Sequence, residues 1–243
     1  MAAAEATTVR FKGSPERLTG LAPAPAAGPL DLQVRLDLPE PFQSVLPAYA
    51  QPLTAAPGAP ALLRLALPSS TPPGTYTGTI RVGDIDRSVA VEVEPLIRIR
   101  FNPVSLVLHG APGANISAPF NLYNVGNSEF DVLRVYAFGV FDVDGLDDAF
   151  GQTFRTKLRP GERRIDVFAE KLADGHGGLV RVRIEKGSGT VPAGAVREVR
   201  AVFRLPDRMR PGRSYAGTLP LNYARYGVRI DVAGTREKTP EAE

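Results

Sequence analysis

The chain of 243 residues has no cysteine and no tryptophan, and only two histidines and two methionines. Without thiols there are no disulfides, thiolate metal sites or cysteine nucleophiles. The compartment stays open, because an oxidising space permits disulfides without demanding them. Without indoles there is no buried strand-C Trp of the antibody type, and a sugar-stacking role loses its best platform. No apolar run reaches the roughly 18 residues of a membrane span. The opening Met1-Ala2-Ala3-Ala4-Glu5 lacks the basic and apolar regions of a secretory leader. Two placements fit these facts. One is the periplasm or cell surface behind a processed N-terminus; the other is the cytoplasm.

What is present is turn-rich and globular. Hydrophobic residues make up 43% and charged residues 23% of the chain, alongside 24 glycines and 23 prolines. Without a collagen period, so much Gly and Pro implies the many tight turns of an all-β chain. The formal charge of +3 is uneven: residues 1–95 carry 7 basic and 9 acidic side chains, residues 96–235 carry 20 and 14, and 236–243 carry 2 and 3. The basic half would suit an acidic partner or anionic surface, including a membrane-proximal one. Arg outnumbers Lys 24 to 5, which also fits a GC-rich genome and a solvated face.

Period-2 alternation recurs along the chain. Leu30, Leu32, Val34, Leu36 and Leu38 fall on one face of a strand, with Asp31, Gln33, Arg35 and Asp37 on the other. A Pro-rich stretch at 47–60 reads as irregular, and 62–67 and 88–94 as further strands, for five or six in the first 95 residues. One turn-plus-strand phrase occurs twice, as Pro73-Gly74-Thr75-Tyr76-Thr77-Gly78-Thr79-Ile80 and as Pro211-Gly212-Arg213-Ser214-Tyr215-Ala216-Gly217-Thr218-Leu219. In the second half, strands are expected at 104–108, 120–124, 130–141, 164–168, 179–185, 196–205 and 227–232. Pro220 marks its strand as an edge. Residues 142–151 interrupt the pattern, with one or two helical turns expected within 146–154, and 171–178 reads as a second inserted loop.

These observations predict an all-β chain of two tandem immunoglobulin-like β-sandwich domains, the second enlarged by loop insertions. The first domain is residues 1–95, the second 96–235, and 236–243 is a polar tail. The short linker between them implies a restricted angle. From Pro72 to Val82, and again over Val89-Ala90-Val91-Glu92-Val93, the chain resembles the last two strands of bacterial immunoglobulin-like modules. That resemblance implies a spacer, adhesin or docking role in envelope and secreted proteins. The run Asn102-Pro103-Val104-Ser105-Leu106-Val107-Leu108 and then Phe120-Asn121-Leu122-Tyr123-Asn124-Val125-Gly126, with Leu158-Arg159-Pro160-Gly161-Glu162 later, is similar to PapD-like and major-sperm-protein-like domains. Pilus chaperones of that kind are two-domain and basic, though their PapD-like opening stands at the N-terminus, not midway. Their anchoring basic residues are not carried over to any position of this chain.

Chemistry-bearing clusters are few. His109 precedes a Gly turn and His176 sits in Asp174-Gly175-His176-Gly177-Gly178. No Ser-His-Asp set assembles and no Gly-x-Ser-x-Gly elbow exists, so no enzyme is expected. Asp142, Asp144, Asp147 and Asp148 gather beside Gly145 and would wrap a calcium-type cation, though the EF-hand's third ligand spacing and terminal Glu are missing. Turn-forming surface carboxylates are the plainer reading. Arg98 and Arg100, and Arg181 and Arg183, each put two guanidiniums on one strand face. If those strands adjoin, they form a basic interaction patch for carboxylates or phosphates. Nucleic acid is not expected, because the residues between these arginines are aliphatic. The functional expectation is a non-enzymatic structural or protein-interaction module of a bacterial envelope or surface assembly. Strand donation by a pilus-type chaperone is one alternative, and it requires a long exposed edge strand. A carbohydrate-binding or enzyme-accessory module is another, its platform drawn from Tyr123, Tyr136, Tyr223 and Tyr226.

Overall fold

The computed structural model describes residues 8–23, 30–40, 42, 45–53, 60–82 and 85–234. The side chains of Leu30, Asp31 and Val82 and the tail 236–243 lie outside the described residues. Two compact units emerge: one comprises residues up to Arg98 with 124–129 and 192–194, and the other comprises 99–123, 130–191 and 195 onward.

The first unit has seven strands: β1 (Val9–Ser14), β2 (Arg17–Pro23), β3 (Leu30–Leu36), β4 (Val45–Pro52), β5 (Pro60–Leu65), β6 (Gly74–Val82) and β7 (Ile85–Val93). They close in the order β1-β2-β5-β4-β3-β6-β7, with β1 parallel to β7 and the remaining neighbours antiparallel. The alternation seen in sequence fills the interior: Leu32, Val34, Leu36 and Leu38 are buried with Phe11, Leu18, Leu63, Ile80 and Val91. Part of the Pro-rich stretch is a strand. Pro47 is tolerated in β4 because its β5 pairing starts only at Ala48, so 45–47 bonds to β3 alone. The buried Ala48 and Ala50 supply the inward face of that strand.

The second unit contains β8 (Ile99–Asn102), β9 (Ser105–Gly110), β10 (Asn115–Asn124), β11 (Phe130–Val132), β12 (Val135–Asp142), α1 (Gly145–Arg155), α2 (Arg164–Asp174), β13 (His176–Lys186), β14 (Gly189–Val191), β15 (Val196–Arg204), β16 (Ser214–Leu221) and β17 (Ala224–Val232). Its main sheet runs β8-β10-β15-β13-β12-β16-β17-β9, while β11 and β14 form a separate pair. This order repeats that of the first unit. Where β1 bonds to both β2 and β7, the second unit divides the task between β8 and β9, which flank the cis Asn102–Pro103 bond. In each unit a strand from the start of the fold runs parallel to the last strand, and the strands between them pair antiparallel, as in an immunoglobulin-like sandwich. The chain is therefore an all-β tandem of immunoglobulin-like sandwiches, the second enlarged.

The repeated phrase forms the same device in both units. The Tyr76 hydroxyl donates to the Pro72 carbonyl at 2.8 Å, and the Tyr215 hydroxyl accepts from the Arg210 N–H at 3.0 Å. Each tyrosine thus ties the start of its strand to the turn before it, as a tyrosine corner does. Two residues on, a glycine admits the neighbouring backbone. A Cβ on Gly78 would lie 2.0 Å from the Arg35 carbonyl oxygen, and one on Gly217 would lie 2.5 Å from that of Gly139.

Three local expectations change. The segment 164–168 is the start of α2 rather than a strand: Ile165, Phe168 and Leu172 keep helical spacing once the window extends past five residues. Residues 171–174 close that helix, so the two inserted loops are one helical hairpin between β12 and β13. Pro220 sits in an interior strand, because β12 covers only 215–217 of β16 and leaves 218–221 unpaired on that side.

Candidate interaction surfaces of the second unit

Helix α1 buries Gly145, Ala149 and Thr153. One position on, Leu146, Phe150 and Phe154 recur every fourth residue and form a stripe along the helix. That stripe is not buried; Phe154 is 65% exposed and Leu146 54%. Across the hairpin, Val167 is the one buried residue of α2, while Ile165 is 60% exposed. Aromatic contacts join the helices. The Phe150 ring lies 5.0 Å from that of Phe168 and 6.1 Å from that of Phe154, and the Arg164 guanidinium sits 5.5 Å over Phe154. Arg164 also donates to the Thr153 carbonyl at 2.9 Å. The hairpin is thus internally ordered yet presents a wide apolar face to solvent.

At its base three of the four acidic residues meet a cation already in the chain. Arg213, from the repeated phrase, approaches Asp142 Oδ2 to 3.3 Å and Asp144 to 4.0 Å, and makes a close ion pair with Asp148. The Asp148 hydrogen bond and then the Asp142 charge hold the Arg213 guanidinium above its ordinary pKa. Asp142 is buried, and its Oδ1 accepts the Asp144 N–H at 3.1 Å. The fourth member, Asp147, is exposed and stands outside this clasp. Among the described residues, no group of three or more His, Cys, Asp or Glu is arranged to hold a metal ion. The sequence offers Arg213 no marker of this role, because it lies some 65 residues from the acids it joins.

The four arginines singled out in sequence are dispersed. Arg98 belongs to the first unit and pairs with Glu16 at 2.7 Å. Arg100 lies on β8, and two strands, β10 and β15, separate it from Arg181 and Arg183 on β13. Arg183 is paired with Glu185 at 2.8 Å. Arg181 instead meets Arg204, its register partner on β15, and Arg208 lies nearby in the same cleft. Sequence reasoning missed these two arginines, since only strand pairing brings them to Arg181.

The remaining candidates also separate. Tyr226 is fully buried, stacks on Phe101 at 4.4 Å and donates to the Pro103 carbonyl at 3.0 Å, and burial pushes its pKa to about 12. Tyr136 is buried as well, its hydroxyl accepting the Leu133 N–H. Tyr223 is exposed and Tyr123 half-buried, so the four do not assemble one platform. His109 lies 3.6 Å from Asp231 and is exposed, and His176 receives Arg208. The main sheet ends on β8 and β9, strands of four and six residues.

No family model matches the chain, and no curated protein matches it. Among solved structures it is similar to a protein of unknown function from Porphyromonas gingivalis, at 13% identity over 93% of this chain and 96% of that one, with a TM-score of 0.25. A complex of the Dpr11 Ig domain with DIP-gamma matches at 10% identity over 93% and 96%, TM-score 0.30. A tandem pair of titin Ig domains matches at 12% over 93% and 93%, TM-score 0.25. At such identities and scores the likenesses say nothing of activity or partner. The immunoglobulin-like assignment rests on the strand order common to both units.

Proposed function

We propose that this chain is a non-enzymatic protein-interaction module whose second unit docks another protein on the apolar face of the α1–α2 hairpin. The observation that carries the reading is the exposed stripe Leu146, Phe150 and Phe154 on a hairpin paired at its base with Arg213. Ordered apolar surface of this kind marks an interaction site more often than solvated scaffold. Charge favours a protein over a bilayer. Residues 145–174 carry six acidic and six basic side chains, so no net charge draws the hairpin to anionic lipid. The resemblance around Pro72 to Val82 supports placing the module in a bacterial envelope or surface assembly. Strand donation finds less support, given edge strands of four and six residues.

The test is a photo-crosslinking amino acid at position 154, with position 223 as an exposed control. The expected result is a discrete protein adduct from 154 only, lost when Leu146 is changed to Ser. Equal adducts from both positions, or binding of the hairpin to anionic vesicles without any protein adduct, would overturn the reading. Fractionation of the native cell tests the envelope placement, with recovery in the cytosol counting against it.

A further inference from the structure

A second surface of this unit has a different chemistry. His176, Leu179, Arg181, Arg204, Pro206 and Arg208 line a cleft of about 730 Å³. Arg181 and Arg204 stand directly opposite each other in the antiparallel register of β13 and β15. Partners in such a register hold their Cβ atoms about 5 Å apart, and like charges there are destabilising. The sheet compensates the neighbouring cations: Arg183 has Glu185 at 2.8 Å and Lys186 has Glu198 at 2.7 Å. Among the described residues, neither Arg181 nor Arg204 has a carboxylate within 4.0 Å. Asp207 lines the same cleft, but its Oδ1 is turned to Gly113, where a Cβ would lie 2.2 Å from it.

Arg208 adds a third guanidinium, placed by the fold and not by a counterion. Its Nε donates to the His176 carbonyl at 2.9 Å and its terminal nitrogen meets His176 Nδ1 at 2.9 Å. A guanidinium only donates, so Nδ1 accepts and the ring proton sits on Nε2, a further donor. Beside the cations lies an apolar counterpart. Leu179 is 62% exposed, and its register partner Gly139 and the next, Ala137, have no bulk to cover it. On β13, Leu179 and Arg181 are two residues apart on one face, the spacing at which an extended chain repeats its own side chains.

We propose that this cleft receives an extended acidic segment of a partner protein, its carboxylates on Arg181, Arg204 and Arg208 and an apolar side chain on Leu179. Guanidiniums suit carboxylates through paired, charge-assisted hydrogen bonds. A nucleic-acid strand would need stacking aromatics, and His176 is the one aromatic ring among the lining residues. The site is independent of the hairpin reading.

Fluorescence anisotropy with a labelled peptide of alternating Glu and Leu tests it on the full chain. Binding is expected to weaken by about tenfold or more in Arg204→Gln, as loss of a charge-assisted contact implies. Phe154→Ser and Arg225→Gln should leave it unchanged, which separates this site from the hairpin and from general basicity. A second readout concerns cost: Arg204→Gln should leave the thermal midpoint equal or higher, because it relieves a repulsion. Three results would overturn the proposal. They are equal binding by Arg204→Gln, equal binding of a Lys-Leu peptide, and binding of inorganic phosphate with no binding of the acidic peptide.

Discussion

Removing Arg213 tests how the hairpin is anchored. In the native chain this side chain spans Asp142, Asp144 and Asp148 from the start of β16. Arg213→Ala leaves three carboxylates facing one another, and Asp142 is the costly one because its side chain is only 4% exposed. Breaking a fully buried pair costs about 3–5 kcal/mol. Arg213 itself is 32% exposed and Asp148 40%, so solvent screens part of the loss and about 2–3 kcal/mol is expected. For a unit of this size that corresponds to a fall of about 10 °C in its midpoint. Scanning calorimetry is the suitable assay, since the chain has no Trp to report unfolding by fluorescence. Arg213→Lys keeps the charge but loses the fork, and should cost less. Adding Asp142→Asn to Arg213→Ala should restore part of the loss by removing the buried charge. A fall of less than about 3 °C in Arg213→Ala would refute the clasp as a structural element. So would a double variant less stable than the single one.

The same variant bears on the calcium reading of the acidic loop. Millimolar calcium should raise the midpoint of Arg213→Ala, where the carboxylates are left open, and leave the native midpoint unchanged; a native rise would show that metal competes with the guanidinium. Gly78→Ala and Gly217→Ala should each destabilise their own unit by about 3 kcal/mol through overpacking against a backbone carbonyl, read as a midpoint shift in calorimetry. Native-like midpoints would show that the close approach is relaxed. At alkaline pH, Tyr226 should ionise late, near pH 12, in a 295 nm absorbance titration. Its folded pKa, about 12, lies above the ordinary value of 10.0. The unfolded chain therefore loses that proton first, and the stability present below pH 10 declines as pH rises toward 12. Tyr226→Phe should remove the late component; an unchanged titration curve would refute the burial.

Sequence reading succeeded where physics is local. Leu32, Val34, Leu36 and Leu38 alternate, and alternation forces a strand to bury one face, so the first unit's core was legible. The repeated Pro-Gly and Tyr-x-Gly phrase identified paired structural units because a turn and the strand after it depend on neighbouring residues. It could not show why the phrase is kept. The tyrosine reaches back over its turn, but the glycine answers to a carbonyl on another strand, at Arg35 or Gly139. The segment 164–168 read as a strand because five residues cannot separate a period of 2 from one of 3.6 when Ile165 and Val167 flank a polar residue.

The candidate sites divide in the same way. Composition and pattern by themselves determined that this is an all-β chain without thiol chemistry, with an acidic loop and a basic second half. Which charges meet was decided by tertiary structure alone. Arg213 entered the acidic loop from the turn before β16, and Arg204 was set against Arg181 by antiparallel register. Arg98 and Arg100, two residues apart in sequence, went to different compact units. Alternation along one strand is set by bonds within that strand, whereas a charge acts over several ångströms on whatever the fold brings near it.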